Sequence, residues 1–502
     1  GANLSVCVSD DFMEAVKADR DWNLEFPDLD DPKYDKKWDG DLKNWKKLGG
    51  KVVVKKTVKA KYIWDLICTA AWTSAEPGLH FLDRSNKRSN TAYFETLIAT
   101  NPCVTADTWV HTKQGPRQVR DLIGKQFIAR VNGTDILSGP QGFFKTATKS
   151  VIHLKTKEGY SLRLTKDHLI QYVSAISRYS TKTDWREAGK RQKGDLVVLQ
   201  NHSSNNAWKG NYSYKEGYLM GVLIGDGTLK QDKAVLSAWL PRRTTAVGLT
   251  VSGQQAVMDS ISYIASSLPH RADFNGWSEV KDRGEYRLSL ASIKQLAEEL
   301  GMRPGYKTIT KLMEESSSDF YKGVLKGLFD TDGSVQGNQN KGVSVRLSQS
   351  DLFLLEAAQR MLLRLGIASR IYRNRRLAGT KLLPDGNGGE KEYNIKSQHE
   401  LLISGSNVLL FSKLINFADT QKSARLANLL GTYKRTLNRE RFVATVESLE
   451  LDGKEDVFDV QIPSLHAFDA GGFYAHNCGE QPLGAWAVCN LGAINLSNYV
   501  HN

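Results

Sequence analysis

The residues best equipped to rearrange this chain's own backbone stand at two places, Cys103 and the run His476-Asn477-Cys478. The Cys103 thiol can attack the carbonyl before it and convert the Pro102 amide into a thioester, which is easier to break. Cys478 can accept that acyl group by thioester exchange. Asn477 can then cyclise through its side-chain amide and cut its own peptide bond, while His476 polarises the carbonyl. Thr165 and His168, spaced Thr-x-x-His after the run YSLRLT, supply a hydroxyl and an imidazole able to hydrogen-bond the first scissile bond and protonate its leaving nitrogen. A single cysteine is usually a small buried hydrophobe. Here the weight lies in joint placement, because these groups mark both ends of one segment.

A pair of acids forms the second set. Asp226 and Asp332 close two similar runs, YLMGVLIGDGTL at 218–229 and VLKGLFDTDGSV at 324–335, with Gly221 and Gly327 separated by 106 residues. Gly221, Gly225 and Gly327 lack side chains and so allow two such helices to pack at short distance. Gly227 and Gly333 follow the acids. Carboxylates brought together at a two-fold axis can hold Mg²⁺, which the negative ends of the helices also favour.

Periodicity predicts the elements that must carry these groups. Over 103–205, short alternating runs (DTWVHT, VIHLKT, YSLRLT, HLIQYV, DLVVLQ) with turns such as Gly115-Pro116 predict an all-β module. A polar linker, NHSSNNAWKGNYSYKEG, follows. Within 206–435 the pattern is mixed α/β and repeats. After each acid come a strand ending in serine (LTVS at 249–252, VRLS at 345–348), an amphipathic helix, a second strand (YRLSL, ELLIS) and another helix, so two αββα-type units are expected. β alternation returns in RFVATVESLEL and DVFDVQI within 436–477. Residues 1–102 read as helix through KAKYIWDLICTAAW, and 478–502 as helical and glycine-punctuated; both flanks are expected to be mainly helical.

Composition bounds the alternatives. A 502-residue chain that is 40% hydrophobic and 25% charged is ordinary globular protein, which excludes disordered and collagen-like classes. Without a long apolar window or a charged and then apolar start, neither membrane spanning nor secretion is expected, and the location expected is cytoplasmic. Five cysteines (Cys7, Cys68, Cys103, Cys478, Cys489) without a CxxC pair argue against a disulfide scaffold or a zinc site. A net charge of +13 suits a polyanionic partner. A chain with no initiator Met is expected to be processed or cut.

Deleting 103–477 joins Asn101-Pro102 to Cys478-Gly479-Glu480 and restores TNPCGEQPL. That string resembles the active-site loop of ribonucleotide reductases of the adenosylcobalamin-dependent class, as do NLSVCVSDDFMEAV and AEPGLHFLDRSN. The resemblance covers the 127 flanking residues; the 375 between them resemble an intein, a self-splicing insert. The intein resemblance implies an all-β Hint-type horseshoe built from 103–205 and 436–477, with Asp459 and His466 as an acid and a histidine of the C-terminal splicing strand. A structural, hydrogen-bonded histidine is the plainer reading of His466. Residues 206–435 resemble LAGLIDADG homing endonucleases, which implies a pseudo-two-fold α/β domain interrupting the horseshoe. The first copy departs from the family string at Ile224-Gly225, where Asp-Ala is usual, and keeps the acid of the eighth position. Lys307 and Lys422 then polarise water or phosphate, or are ordinary exposed lysines. DNA contact falls to the strands carrying Arg242, Arg243, Lys281, Arg283, Arg287, Arg346, Arg370, Arg373, Arg375 and Arg376, most of them on phosphates or plain surface. By the reductase resemblance, Cys478 becomes the thiyl radical after splicing, Glu480 the base at the 3′ hydroxyl, and Asn101 a hydrogen-bonding partner of the ribose. Cys489 is one half of a reducing pair or a buried core thiol.

The function expected is therefore cofactor-free self-splicing that excises 103–477 and ligates Pro102 to Cys478. Mg²⁺-dependent cleavage of double-stranded DNA, the insert-free reductase gene, accompanies it. Ribonucleotide reduction with adenosylcobalamin is expected only of the complete spliced host. The alternative is a splicing insert that binds DNA without cutting it. A working reductase is excluded, because 127 residues cannot build a radical-enzyme barrel.

Overall fold

The computed structural model describes residues 5–34, 38, 42–74, 78–81, 103–177, 179–240, 253–281, 283–338, 342–384, 390–462, 465 and 467–476. Its organising feature is a nine-stranded sheet to which the chain returns after a long excursion. Phe143–Thr156 pairs antiparallel with Val443–Val460, from Phe143 opposite Val460 to Thr156 opposite Val446. Both strands alternate β-branched or apolar residues with polar ones, the pattern of a half-buried strand. Leu169–Ile176 and Phe473–His476 close the far side of the sheet through Ile170 and Ala475. Early and late segments thus share one core that includes Val104, Leu164, Ile170, Phe458 and Phe473.

The excursion packs around a separate core. Helices Tyr214–Asp226 and Ser318–Asp332 lie against each other, and each is followed by a four-stranded antiparallel sheet. Their small residues explain the approach. A Cβ on Gly221 would stand 2.2 Å from the Val324 carbonyl oxygen, and one on Gly327 would stand 2.6 Å from that of Tyr218. Gly217 and Gly323 make the equivalent contacts, so the close approach is reciprocal.

The repeat is richer than the two-stranded unit expected, because each sheet gains two edge strands, Gly227–Leu229 and Ser278–Val280 in the first, Gly333–Asn338 and Arg370–Arg376 in the second. By sheet position the strand equivalent to Val345–Ser348 is Ala234–Trp239, while Leu249–Ser252 lies outside the described residues. The N-terminal part also departs from its expectation of being mainly helical. Helix Ala60–Ser74 forms as the periodicity predicts, but Asp21–Pro27 and Val52–Lys59 pair as a hairpin. The run Val52-Val53-Val54 and the alternation through Trp22, Leu24 and Phe26 favour strand there. Among the described residues no helix is long and apolar enough to cross a membrane. The molecule is multidomain and largely β with helices.

Candidate functional sites

Cys103 precedes the short strand Val104–Thr105 and is fully buried. Its N–H, the nitrogen of the Pro102–Cys103 bond, donates to Thr165 Oγ1 at 3.2 Å. The Thr165 N–H donates to the Cys103 carbonyl at 3.0 Å, and the Thr165 hydroxyl lies 3.4 Å from the same oxygen. The turn after Ser161–Thr165 is held by the His168 N–H on the Thr165 carbonyl. This brings the His168 ring, also fully buried, beside the main chain of both Cys103 and His476 without a completed hydrogen bond at either ring nitrogen. Two ends 373 residues apart in sequence therefore meet at one imidazole.

Burial sets the charge state of this site. It pushes the Cys103 thiol up to about 12, with Lys149 pulling the other way and the Asp459 carboxylate adding to the rise. It lowers His168 to about 4. Near neutral pH both groups are uncharged, so the resting pair is a thiol and an imidazole. Asp459 is itself buried, opposite Phe144, and its Oδ1 accepts the Val460 N–H at 2.7 Å.

Thr146 and Trp185 join this centre although their sequence surroundings give no motif. Thr146 Oγ1 lies 2.8 Å from Cys103 Sγ, at a register shift in the long strand pair, where a bulge turns its side chain toward the thiol. The Trp185 ring meets His476 edge-on, with centroids 5.0 Å apart. Of the residues expected here, Cys103, Thr165, His168, Asp459 and His476 converge. His466, Asn477 and Cys478 lie outside the described residues, as do Asn101, Glu480 and Cys489.

The second centre lies at the ends of the paired helices. Asp226 and Asp332 are half-buried, and Gln349 Nε2 donates to Asp332 Oδ2 at 2.6 Å. Burial and then the neighbouring Asp226 charge raise Asp332 to about 6, against the pull of Lys307 and Lys422. Asp226 is raised by burial and opposed by the same two lysines. Lys307 Nζ donates to the Gly225 and Gly227 carbonyls at 3.4 and 2.5 Å, and Lys422 Nζ to those of Phe329 and Asp330 at 3.2 and 2.5 Å. Both lysines are half-buried, and burial lowers both. This replaces the exposed-lysine reading.

The two-fold relation breaks two residues before each acid. Asp330 occupies the place of Ile224 in the other helix. It accepts the Tyr218 hydroxyl at 2.9 Å and the N–H groups of Ala418 and Asp419 at 2.8 and 3.1 Å, which anchors the start of the helix carrying Lys422.

A cleft of about 890 Å³ opens on the sheet of the first repeat, lined by Lys230, Lys233, Arg271 and Arg287 among others. Of the arginines named from sequence, Arg287 lies in this cleft, exposed and paired with Glu285. Arg373, Arg375 and Arg376 are exposed on the second repeat's edge strand, and Lys281 and Arg283 are exposed near the first repeat's. Arg346 is tied to Glu400 and Arg370 to Glu158, and Arg373 and Arg375 also face carboxylates, those of Glu356 and Glu400, at 3.7 Å each. Arg242 and Arg243 lie outside the described residues. Lys230, Lys233 and Arg271 had no distinguishing sequence pattern, and only the sheet topology collects them.

Relatives fall into more than one protein class. The chain is 25% identical over 548 aligned residues to the ribonucleoside-diphosphate reductase NrdEB subunit alpha of Bacillus subtilis (strain 168), covering 100% of this chain and 49% of the relative. It is 23% identical to the replicative DNA helicase DnaB of Rhodothermus marinus, covering 76% of this chain and 46% of that one. A stretch of 102 residues, 20% of this chain and 6% of the relative, is 36% identical to the vitamin B12-dependent ribonucleotide reductase of Bradyrhizobium diazoefficiens. Solved structures that align include an Ssp DnaB mini-intein variant, at a TM-score of 0.24 and 9% identity over 76% of this chain and 95% of that one. I-DmoI in complex with DNA and Mn aligns at a TM-score of 0.25 and 16% identity over 41% and 97%. The chain spans about half the length of the curated reductases that it matches over nearly its whole extent. With the model of the ribonucleotide reductase barrel domain matching residues 1–502, the chain belongs to that family.

Proposed function

We propose that this reductase chain is a precursor interrupted by a self-splicing insert, residues 103–477, which carries a DNA-cleaving domain of the LAGLIDADG type within it. The observation that carries the reading is the meeting of Cys103 and His476 at the His168 turn, with Leu164 paired to Val104 before it and Ile170 paired to Ala475 after it. Relatives of different classes support it: the similarity to a helicase extends over 76% of the chain, more than the 127 flanking residues can supply, so it includes much of the insert.

In splicing, Thr165 holds the scissile nitrogen through its hydroxyl while the neutral His168 ring serves as proton carrier between thiol and leaving amine. The Cys103 sulfur adds to the Pro102 carbonyl carbon, the C–N bond breaks, and the thiol's proton ends on the freed amine. Cys478 then takes the acyl group, Asn477 cyclises with release of the insert, and the thioester rearranges to a Pro102–Cys478 amide. His466 and Asp459 assist at the second junction. Purified chain is expected to yield a 127-residue ligated product and a 375-residue insert without cofactor; an intact mass that never changes contradicts the reading.

For DNA cleavage, Asp226 and Asp332 fit a hard divalent cation, because two half-buried carboxylates end the two paired helices and Gln349 holds one of them. Mg²⁺ held there would supply Lewis-acid stabilisation of a phosphate. Lys307 and Lys422 orient the two helix ends, and the basic cleft and edge strands receive double-stranded DNA of the uninterrupted gene. After ligation, Asn101, Cys478, Glu480 and Cys489 would serve ribonucleotide reduction in the complete host. Adenosylcobalamin dependence rests on the B12-dependent relative alone, and no step above runs through that cofactor.

A further inference from the structure

Where the edge strand Ala467–Ala470 of the nine-stranded sheet packs on a separate four-stranded sheet containing Trp109–Thr112, three ligand-type side chains converge away from both centres. His111 comes from strand Trp109–Thr112, His202 from the linker after Leu196–Val198, and Asp469 from strand Ala467–Ala470. All three are buried, and one ligand atom from each lies within 4.8 Å of the others. His202 Nε2 and Asp469 Oδ2 are 2.8 Å apart, while Asp469 Oδ1 is fixed by the Gly472 N–H at 2.7 Å. Neither ring nitrogen of His111 has a hydrogen-bond partner among the described residues, nor has His202 Nδ1. Burying an imidazole with both nitrogens unsatisfied is costly, so the cluster calls for a ligand that uses them.

We propose that His111, His202 and Asp469 form a binding site for Zn²⁺ or a similar divalent transition metal. Two imidazole nitrogens and one carboxylate oxygen form a donor set that Zn²⁺ accepts, with a fourth position left over. The adjoining cavity holds only about 10 Å³ of free volume, room for an ion or one water and not for an organic ligand. Ligand atoms in a tetrahedral shell with bonds of ~2.0–2.1 Å stand about 3.4 Å apart, so metal entry opens the 2.8 Å His202–Asp469 contact slightly, displaces its proton and draws the His111 ring inward. The Gly472 N–H holds Asp469 in place from outside the shell. Nearby cations do not fill the role. Arg364 and Arg360 are bound to Glu314, and Arg130 is bound to Asp135. The ion would tie the linker that enters the helical domain to the hairpin whose last residue is His476.

The test uses the full chain with Cys103→Ala and Asn477→Ala, which together block cleavage at both junctions, and with Asp226→Asn and Asp332→Asn, which remove the other cation site. Calorimetric titration with Zn²⁺ is expected to give one equivalent per chain and a raised Tm, with at least tenfold weaker binding in His111→Ala. X-ray absorption at the zinc edge, which needs no variant at the site, should show two imidazoles and no sulfur. Failure to bind zinc below about 0.1 mM, affinity unchanged by His111→Ala, or a sulfur ligand would overturn the assignment.

Discussion

The two reactive centres solve opposite electrostatic problems. At Cys103 the fold buries a thiol and an imidazole until both are neutral, whereas at Asp226 and Asp332 it holds two acids and two lysines half-buried and close enough to shift one another. The contrast follows from the reactions proposed. An acyl shift moves a proton between neighbours within one chain and proceeds from neutral partners. Phosphodiester cleavage brings a polyanion to the protein and needs concentrated charge to receive a cation. Burial in the first case and symmetry in the second are the devices, and each can be broken alone.

The largest effects should be complete and separable. Cys103→Ala is expected to abolish ligation while leaving DNA cutting intact, and Asp332→Asn to abolish cutting while leaving ligation intact. Product masses and a plasmid-cleavage assay read the two outcomes side by side. Loss of both activities in either variant would mean that the centres are not independent.

Next in size is the helix contact. Gly327→Ala drives a methyl toward the Tyr218 carbonyl, 2.6 Å away, with the Val222 nitrogen at 2.7 Å. Overpacking of this kind costs about 1–3 kcal/mol. Urea unfolding should register that loss, and cutting should fall more than splicing because the helices carry the acids. Equal loss in both activities would contradict the division into two cores.

Much of this was legible in the sequence, for identifiable reasons. Cys103 precedes a strand, Thr165 ends one and His168 follows the next turn, all within a stretch whose alternation marks their place, and the glycine-containing repeat announces the helix pair. Thr146 was not legible, because a bulge rather than a motif aims it at the thiol. The edge strands of the repeats and the N-terminal hairpin were missed for a related reason. Short strands take their pairing from tertiary neighbours, which local periodicity does not record.

Smaller effects sharpen the neutral centre. His168 has a folded value of about 4 against 6.5, so between those values the unfolded chain binds the extra proton and stability falls as pH drops. Asp330 and Asp332, both raised to about 6, give the opposite slope. Comparing Cys103→Ala with Cys103→Ala/His168→Gln by urea unfolding at pH 7 and pH 5 isolates the histidine. The parent should lose more stability than the double variant on acidification. Thr146→Val removes one hydrogen bond to the thiol, worth about 1 kcal/mol, and should change the splicing rate by roughly fivefold.

The central claim is that the two ends of 103–477 react with each other. Its most direct measurement is a time course of intact mass on purified full-length chain, with no cofactor, nucleotide or other protein added. The account predicts that the mass of the 502-residue chain gives way to a 375-residue insert and a 127-residue product containing the new Pro102–Cys478 peptide bond. A chain that stays whole, or that breaks at these junctions without joining Pro102 to Cys478, would contradict it.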